Sequence, residues 1–226
     1  MSKNNFAEIL TEAARALKAG KAVVYPTDTC YGLGAIALSQ KAVAKIYKIK
    51  ERGFDKPVHV LVPSVSAAKK LVQWNGAAQK LAKKYWPGPL SMAMPLKMSA
   101  NEKNGGKTNL SAKISIAALE KICAGTGYLG LRVPKNKFAL ALAKKVGEPI
   151  TATSANPSAR LSGGFDAYCP EDAMRQFKNK KHKPDLIIDA GQLPEVKPST
   201  FVRVSKNGKK YKLEILRRGP VKISSS

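Results

Sequence analysis

Acidic side chains are scarce in this sequence: 15 Asp+Glu stand against 40 Lys+Arg in 226 residues, a formal net charge of +25. A surface so short of carboxylates attracts polyanions such as nucleic acid, nucleotides or anionic lipid. The lysines are spread along the chain, with local runs at Lys178–Lys183 and Lys206–Lys212, so the charge bears on partners and reads no base. Cysteine is equally sparse. Cys30, Cys123 and Cys169 are odd in number and lack C-x-x-C spacing, which argues against a disulfide framework or a zinc site. The two histidines, His59 and His182, have no sequence neighbours that would complete a triad or a metal site. No apolar run approaches the roughly 18 residues of a bilayer-spanning helix. The N-terminus lacks the apolar core of a signal peptide. A reducing, cytoplasmic setting without a membrane partner is therefore expected. Both common phosphate loops, G-x-x-x-x-G-K-[ST] and G-x-G-x-x-G, are missing.

What is present is enough apolar material for a core, 44% of the chain. Helical spacing runs over 6–19, 39–50, 66–72, 76–85, 114–123, 137–146 and 171–177. Ser39 and Asn136 fit N-caps, while Gly20, Gly125 and Gly147 fit C-terminal stops. Short β-branched or alternating runs at 22–25, 58–62, 90–96, 129–133, 149–153 and 186–189 read as strands. At the end, Thr200–Val204 and Tyr211–Leu216 flank an Asn207-Gly208 turn of hairpin type. The polar, glycine-bearing stretch Lys97–Lys113 reads as a loop. Alternation of strands and helices followed by a hairpin predicts an α/β fold, a mixed parallel and antiparallel sheet with flanking helices. No internal repeat or long linker divides it, so residues 1–226 are expected to form one domain.

The stretch Val23-Val24-Tyr25-Pro26-Thr27-Asp28-Thr29-Cys30-Tyr31-Gly32-Leu33-Gly34 opens as a buried strand and ends in small polar groups and glycines. Such strand ends are where open α/β sheets receive ligands. Three further stretches suit an anion. Lys48, Lys50, Arg52 and Lys56 cluster at a helix end, where cations also favour the dipole. Thr151-Ala152-Thr153-Ser154-Ala155-Asn156, with Ser158 and Ser162-Gly163-Gly164 beyond it, offers hydroxyls and free N–H groups for phosphate oxygens, or an ordinary turn. Arg132, inside the apolar run Gly130-Leu131-Arg132-Val133-Pro134, needs an anionic partner, either Asp28 or a substrate carboxylate. Cys30 has no evident base beside it and reads as a small buried filler.

In this order, Tyr25-Pro26-Thr27-Asp28-Thr29, Tyr31-Gly32-Leu33-Gly34, Lys50-x-Arg52, Trp86-Pro87-Gly88-Pro89-Leu90, Leu131-Arg132-Val133-Pro134, Ser154-Ala155-Asn156 and Arg217-Arg218-Gly219 resemble the YrdC/Sua5 family in its single-domain form. The resemblance covers about residues 10–220. It implies a twisted mixed sheet with a basic concave face, of the YrdC/RibB-like kind, and an L-threonylcarbamoyladenylate synthase activity. That reaction joins L-threonine, bicarbonate and ATP, releases pyrophosphate, and feeds t6A modification of tRNA. By the same resemblance Lys50 and Arg52 are the catalytic candidates. Lys50, Arg52, Lys56, Ser154, Asn156, Ser162 and Arg217 would bind ATP, and Thr29, Arg132 and Ser199 would bind threonine. Mg²⁺ would accompany ATP without a dedicated protein metal site, and partners would include tRNA or double-stranded RNA and the t6A-transfer proteins. A family histidine of the 58–62 strand aligns with Leu61 here, and His59, on the same strand face, is the candidate to take its place. The competing reading is a non-catalytic, YciO-type module that holds double-stranded RNA or tRNA. A carbamoyl-transfer role like that of hydrogenase-maturation relatives lacks the accompanying zinc-finger cysteines.

Overall fold

Residues 3–97, 110–158, 165–207 and 210–223 are described by a computed structural model. In chain order they form α1 (Lys3–Lys18), β1 (Val23–Pro26), β2 (Tyr31–Gly34), α2 (Gln40–Ile49), β3 (His59–Leu61), α3 (Val65–Leu71), α4 (Gly76–Tyr85) and β4 (Leu90–Pro95). There follow α5 (Leu110–Cys123), β5 (Tyr128–Arg132), α6 (Lys137–Val146), β6 (Ile150–Ser154), α7 (Pro170–Phe177), β7 (Leu186–Ile187), β8 (Thr200–Asn207) and β9 (Lys210–Arg217). The strands make one sheet in the order β7-β1-β2-β6-β3-β5-β4-β8-β9. It is mixed: β1–β7, β3–β5 and β4–β8 run parallel, while β1–β2, β2–β6, β3–β6, β4–β5 and β8–β9 run antiparallel.

Side-chain alternation along β1 explains why its apolar run is continuous. Val23 and Tyr25 pack with Leu17 of α1 and Leu142 of α6. Val24 faces the other way, onto Ile46 of α2 and Phe177 of α7. A strand covered on both faces has no solvent side on which to place polar residues. The largest cluster joins Val60, Met92, Leu131 and Val202 of the sheet to Val43, Leu81 and Ile122 of the helices. The expected caps form. Ser39 accepts from the Ala42 N–H at 3.3 Å, Asn136 accepts from Phe138 and Ala139 at 3.0 Å each, and Gly147 closes α6 at φ 80°.

Two elements depart from the sequence reading. Tyr31–Gly34, read as the polar and glycine end of a strand, is a strand itself: β2 turns back on β1 with Pro26 opposite Tyr31 and Val23 opposite Gly34. Its glycines are there for packing. A Cβ on Gly34 would lie 2.6 Å from the Thr151 carbonyl oxygen and 2.7 Å from the Tyr25 ring. The second departure is α5, which begins at Leu110, so the last residues assigned to the Lys97–Lys113 loop are helical. Residues 98–109 of that loop lie outside the described residues, as does Gly208 of the terminal turn. Elsewhere the boundaries agree within three residues, the widest differences being the start of α1 and the end of β8.

Gly34→Ala is expected to destabilise the fold by about 1–3 kcal/mol, the range for forcing one extra carbon into a filled interior. Urea denaturation measures it, and an unchanged midpoint would show that the β1–β2–β6 contact yields.

Candidate functional site

The site collects where strand ends and their loops converge. After β1 the chain makes a tight turn in which Thr27 Oγ1 donates to the Cys30 carbonyl at 2.7 Å and accepts from the Thr29 N–H at 3.3 Å. That turn fixes Thr29, which is buried. On β5, residues two apart share a face. Arg132 and Gly130 therefore point the same way, and Gly130 is small because the His59 ring lies over it: a Cβ there would come within 2.6 Å of His59 Cδ2. The other neighbour of that ring is Phe201 of β8, at 4.2 Å between centroids. After α2, Glu51 takes a left-handed φ of 48° and turns the chain. Lys50 is thereby directed inward and Arg52 across the site.

Two adjoining chambers result. One, of about 230 Å³, is lined by Thr29, Cys30, Arg52, His59, Ser91, Arg132, Ser154, Asp166, Ser199 and Arg217, among others. The other, of about 370 Å³, is lined by Lys50, Arg52, Thr153, Ser154, Asn156, Ser158 and Asp166. Arg52, Thr153, Ser154 and Asp166 border both. The candidates named from sequence thus separate: Thr29, Arg132, Ser199 and Arg217 in the first chamber, Lys50 and Asn156 in the second, Arg52 and Ser154 between them. Lys56 is not among the lining residues of either chamber. It contributes its carbonyl, which accepts from Arg52 Nε at 3.3 Å and from the Tyr47 hydroxyl at 3.0 Å. Ser162 lies outside the described residues.

The cations are held by neutral groups. Lys50, 2% exposed, donates to the Ser154 carbonyl at 2.6 Å, the Asn156 carbonyl at 2.5 Å and Asn156 Oδ1 at 3.0 Å. Burial, and next the Arg52 charge, push its pKa down to about 7, with Cys30 and Asp166 acting the other way. Three oxygen acceptors nonetheless call for all three ammonium protons. Asn156 Oδ1 also accepts from Ser154 Oγ at 2.6 Å. Arg52 Nη2 donates to the Pro57 carbonyl at 2.9 Å. Arg217 grips Ser199, through Nε to the carbonyl at 3.0 Å and Nη2 to Oγ at 3.1 Å, and Ser199 Oγ meets Ser91 Oγ at 3.0 Å. Burial, then Arg132, lowers the Arg217 pKa, and burial lowers that of Arg52.

Arg132 has a carboxylate near it, but a distant one: Asp28 Oδ2 lies 3.9 Å from Nη1. The other Asp28 oxygen accepts from the Asn136 N–H and so anchors the start of α6. Arg132 Nε, Asp28 Oδ2 and Ser158 Oγ are buried without a hydrogen bond to another described residue. Of the two partners proposed from sequence, Asp28 supplies nearby charge and leaves the Arg132 Nε proton unused. His59 records the local field. Burial, then Arg217, Arg132 and Arg52, drive its pKa down to about 3, so the imidazole is neutral at physiological pH. Burial raises the Cys30 thiol to about 11. It carries no thiolate at neutral pH, in keeping with the filler role.

Ser158, read from sequence as part of the hydroxyl-bearing stretch after β6, lines the second chamber. Asp166 and Ser91 were not singled out as site residues from sequence. Asp166 and Ser91 carry no local pattern, and only the fold brings them to the chambers.

The family model described as "Telomere recombination", Sua5/YciO/YrdC, matches residues 15–219. A Methanocaldococcus jannaschii relative is 31% identical over 204 residues, covering 90% of this chain and 82% of its own length. The threonylcarbamoyl-AMP synthase of Pyrococcus abyssi is 32% identical over 181 residues, 80% of this chain and 46% of that enzyme. The crystal structure of P. abyssi Sua5 complexed with L-threonine superposes with a TM-score of 0.75 at 28% identity, covering 95% of this chain and 54% of that one. This chain therefore spans about half the length of the Pyrococcus sequence and structure that it matches. Motif order, sheet and comparison agree: the chain belongs to the Sua5/YciO/YrdC family.

Proposed function

We propose that this chain is a threonylcarbamoyl-AMP synthase, a nucleotidyltransferase that makes threonylcarbamoyl-AMP and pyrophosphate from L-threonine, bicarbonate and ATP, and that one domain suffices for it. The observation that carries the reading is the convergence of Arg52, Arg132 and Arg217 on a single cavity whose other polar side chains are mostly hydroxyls. Three guanidiniums without matching carboxylates suit a reaction between two anions, a carbamate and a nucleotide triphosphate. Relatives named for this activity, and a neighbour structure holding L-threonine, support the same reading.

In this reading the carbamate oxygen of N-carboxythreonine attacks the α-phosphorus. The new P–O bond forms as the bridging bond to the β-phosphate breaks, and pyrophosphate departs. Positioning and charge neutralisation are the protein's main tasks in such a transfer. Arg132, with its free Nε proton, Thr29 and Ser199 take the threonine side. Arg52, Ser154, Asn156 and Ser162 take the phosphates, with Arg217 reaching across from β9 and Lys56 on the loop behind Arg52. Lys50 works from beneath: its protons hold Ser154 and Asn156 in place while its charge stays inside the chamber. The orphan Ser158 hydroxyl gains a partner when a phosphate oxygen arrives. The donor set is cationic and hydroxylic, with Asp166 the sole carboxylate among the described lining residues. This set fits a Mg²⁺ that enters already bound to the triphosphate, since that ion keeps hard phosphate and water oxygens. The product would pass to t6A-transfer proteins acting on tRNA in the cytoplasm. The net charge of +25 would draw RNA to the basic concave face expected of the family.

Pyrophosphate release from ATP is expected to require both L-threonine and bicarbonate. Arg52→Ala is expected to lower kcat/KM at least about 100-fold, or roughly 2.7 kcal/mol of transition-state stabilisation. Threonine-independent release, or none from folded protein, would overturn the proposal and leave RNA binding as the reading to test.

His59 supplies a second test. Its folded pKa lies below the ordinary value, so the neutral ring contributes stability that is present above about pH 6.5 and is lost as pH falls towards about 3. Pyrophosphate binding should offset the guanidinium charges and raise that pKa. With two histidines in the chain, proton NMR follows each ring separately. The His59 titration is expected to move upward with pyrophosphate. An unmoved His59 would place the anion elsewhere.

A further inference from the structure

The two chambers are lined by four cations, of which Lys50 and Arg132 are buried, Arg52 is half-buried and Arg217 is exposed, and by one accessible carboxylate. Lys50, Arg52, Arg132 and Arg217 supply the positive charge, and Asp166 is the acidic residue lining both spaces. Asp28 is spent elsewhere, on the Asn136 N–H and beside Arg132. Asp166 forms no hydrogen bond or ion pair with the other described residues. Its charge nevertheless reaches Lys50, Cys30 and Arg217. A carboxylate without a partner among the described residues, within a cationic cavity, needs a reason. It repels a bare triphosphate, so that ligand gives none. A zwitterionic amino acid does: its carboxylate suits the arginine wall, and its ammonium would meet only repulsion there without one acidic group.

We infer that Asp166 holds the ammonium of the amino-acid substrate at the border between the two chambers. The inference rests on the synthase reading given above and deepens it. With the carboxylate end taken by Arg132 and Ser199, an ammonium on Asp166 places the reacting nitrogen at the border that Arg52 and Ser154 also line, facing the nucleotide side. Asp166 then serves two ends. It selects an α-amino acid over the corresponding hydroxy acid, and it orients the nitrogen that is to be carboxylated. It is a binding residue, and no proton transfer is assigned to it.

Calorimetric titration tests this without turnover. Wild-type protein, Asp166→Asn and Asp166→Glu are titrated with L-threonine, with 3-hydroxybutanoate, which lacks the amine, and with ATP in the presence and absence of Mg²⁺. Thermal melting of each variant establishes that it is folded. Asp166→Asn is expected to weaken L-threonine about 10- to 100-fold, the scale of a charge-assisted hydrogen bond lost. It should leave 3-hydroxybutanoate and ATP within about twofold of wild type, and Asp166→Glu should recover part of the loss. Equal L-threonine affinity in wild type and Asp166→Asn would overturn the inference while leaving the synthase reading intact. A loss confined to Mg²⁺-dependent ATP binding would overturn it in favour of a metal ligand. Failure of the wild type to bind L-threonine at all would overturn both.

Discussion

The constraint on which this structure turns is the packing of Lys50, Arg52, Arg132 and Arg217 around two adjoining chambers with too few carboxylates to neutralise them. Burying like charges is costly, and removing a partner from a buried charge is costlier still. The protein meets the cost with neutral acceptors. Lys50 rests on two carbonyls and an amide oxygen, Arg52 on the carbonyls of Lys56 and Pro57, Arg217 on Ser199. Dipoles of this kind orient a cation and leave its charge available to a ligand. A carboxylate within bonding distance would orient it and cancel it. The long Arg132–Asp28 separation of 3.9 Å falls between these cases: some compensation, no saturated pair. His59 registers the outcome as a suppressed basicity.

The architecture follows from having to bring those acceptors together. The carbonyls that receive Lys50 belong to the end of β6 and the residues after it, and the Lys50 carbonyl in turn accepts from the Ser158 N–H at 2.8 Å. The loop leaving α2 and the loop leaving β6 are therefore tied to each other by the same residue from both ends. On the opposite wall, Ser199 sits just before β8 and Arg217 at the end of β9, adjacent strands held antiparallel. The β1–β2 hairpin completes the floor, and it packs closely enough that Gly34 admits no side chain. Segments more than a hundred residues apart thus meet at one point because a single nine-stranded sheet carries them all.

Much of this was legible in the chain. Periodicity and caps located the helices, since Ser39, Asn136 and Gly147 act through local backbone geometry that composition reveals. Motif order gave the family, and most of the residues it named line the two chambers. What stayed hidden has tertiary causes. Gly32 and Gly34 resemble a turn, and only the close approach of Thr27, Tyr25 and Thr151 makes them strand glycines. Among the lysines at the end of α2, periodicity does not say which turns inward. Lys45 pairs with Asp185, Lys48 is exposed, and Lys50 is buried by the turn at Glu51. Lys56 looked equivalent to its neighbours by charge, yet serves through its carbonyl. Asp166 follows no motif, and its place between the chambers depends on the fold alone.

The most direct test of the cation cluster is the thermal melting of the wild-type protein with pyrophosphate, against chloride at matched ionic strength. A ligand that neutralises buried like charge and binds only the folded state adds about 2.7 kcal/mol at a hundred times its Kd. For a domain of this size that is roughly 5–10 °C in Tm. A rise of that order with pyrophosphate and none with chloride is the expected result. Equal shifts with both salts, or none with either, would mean that the four cations do not form an anion site, and would contradict the account.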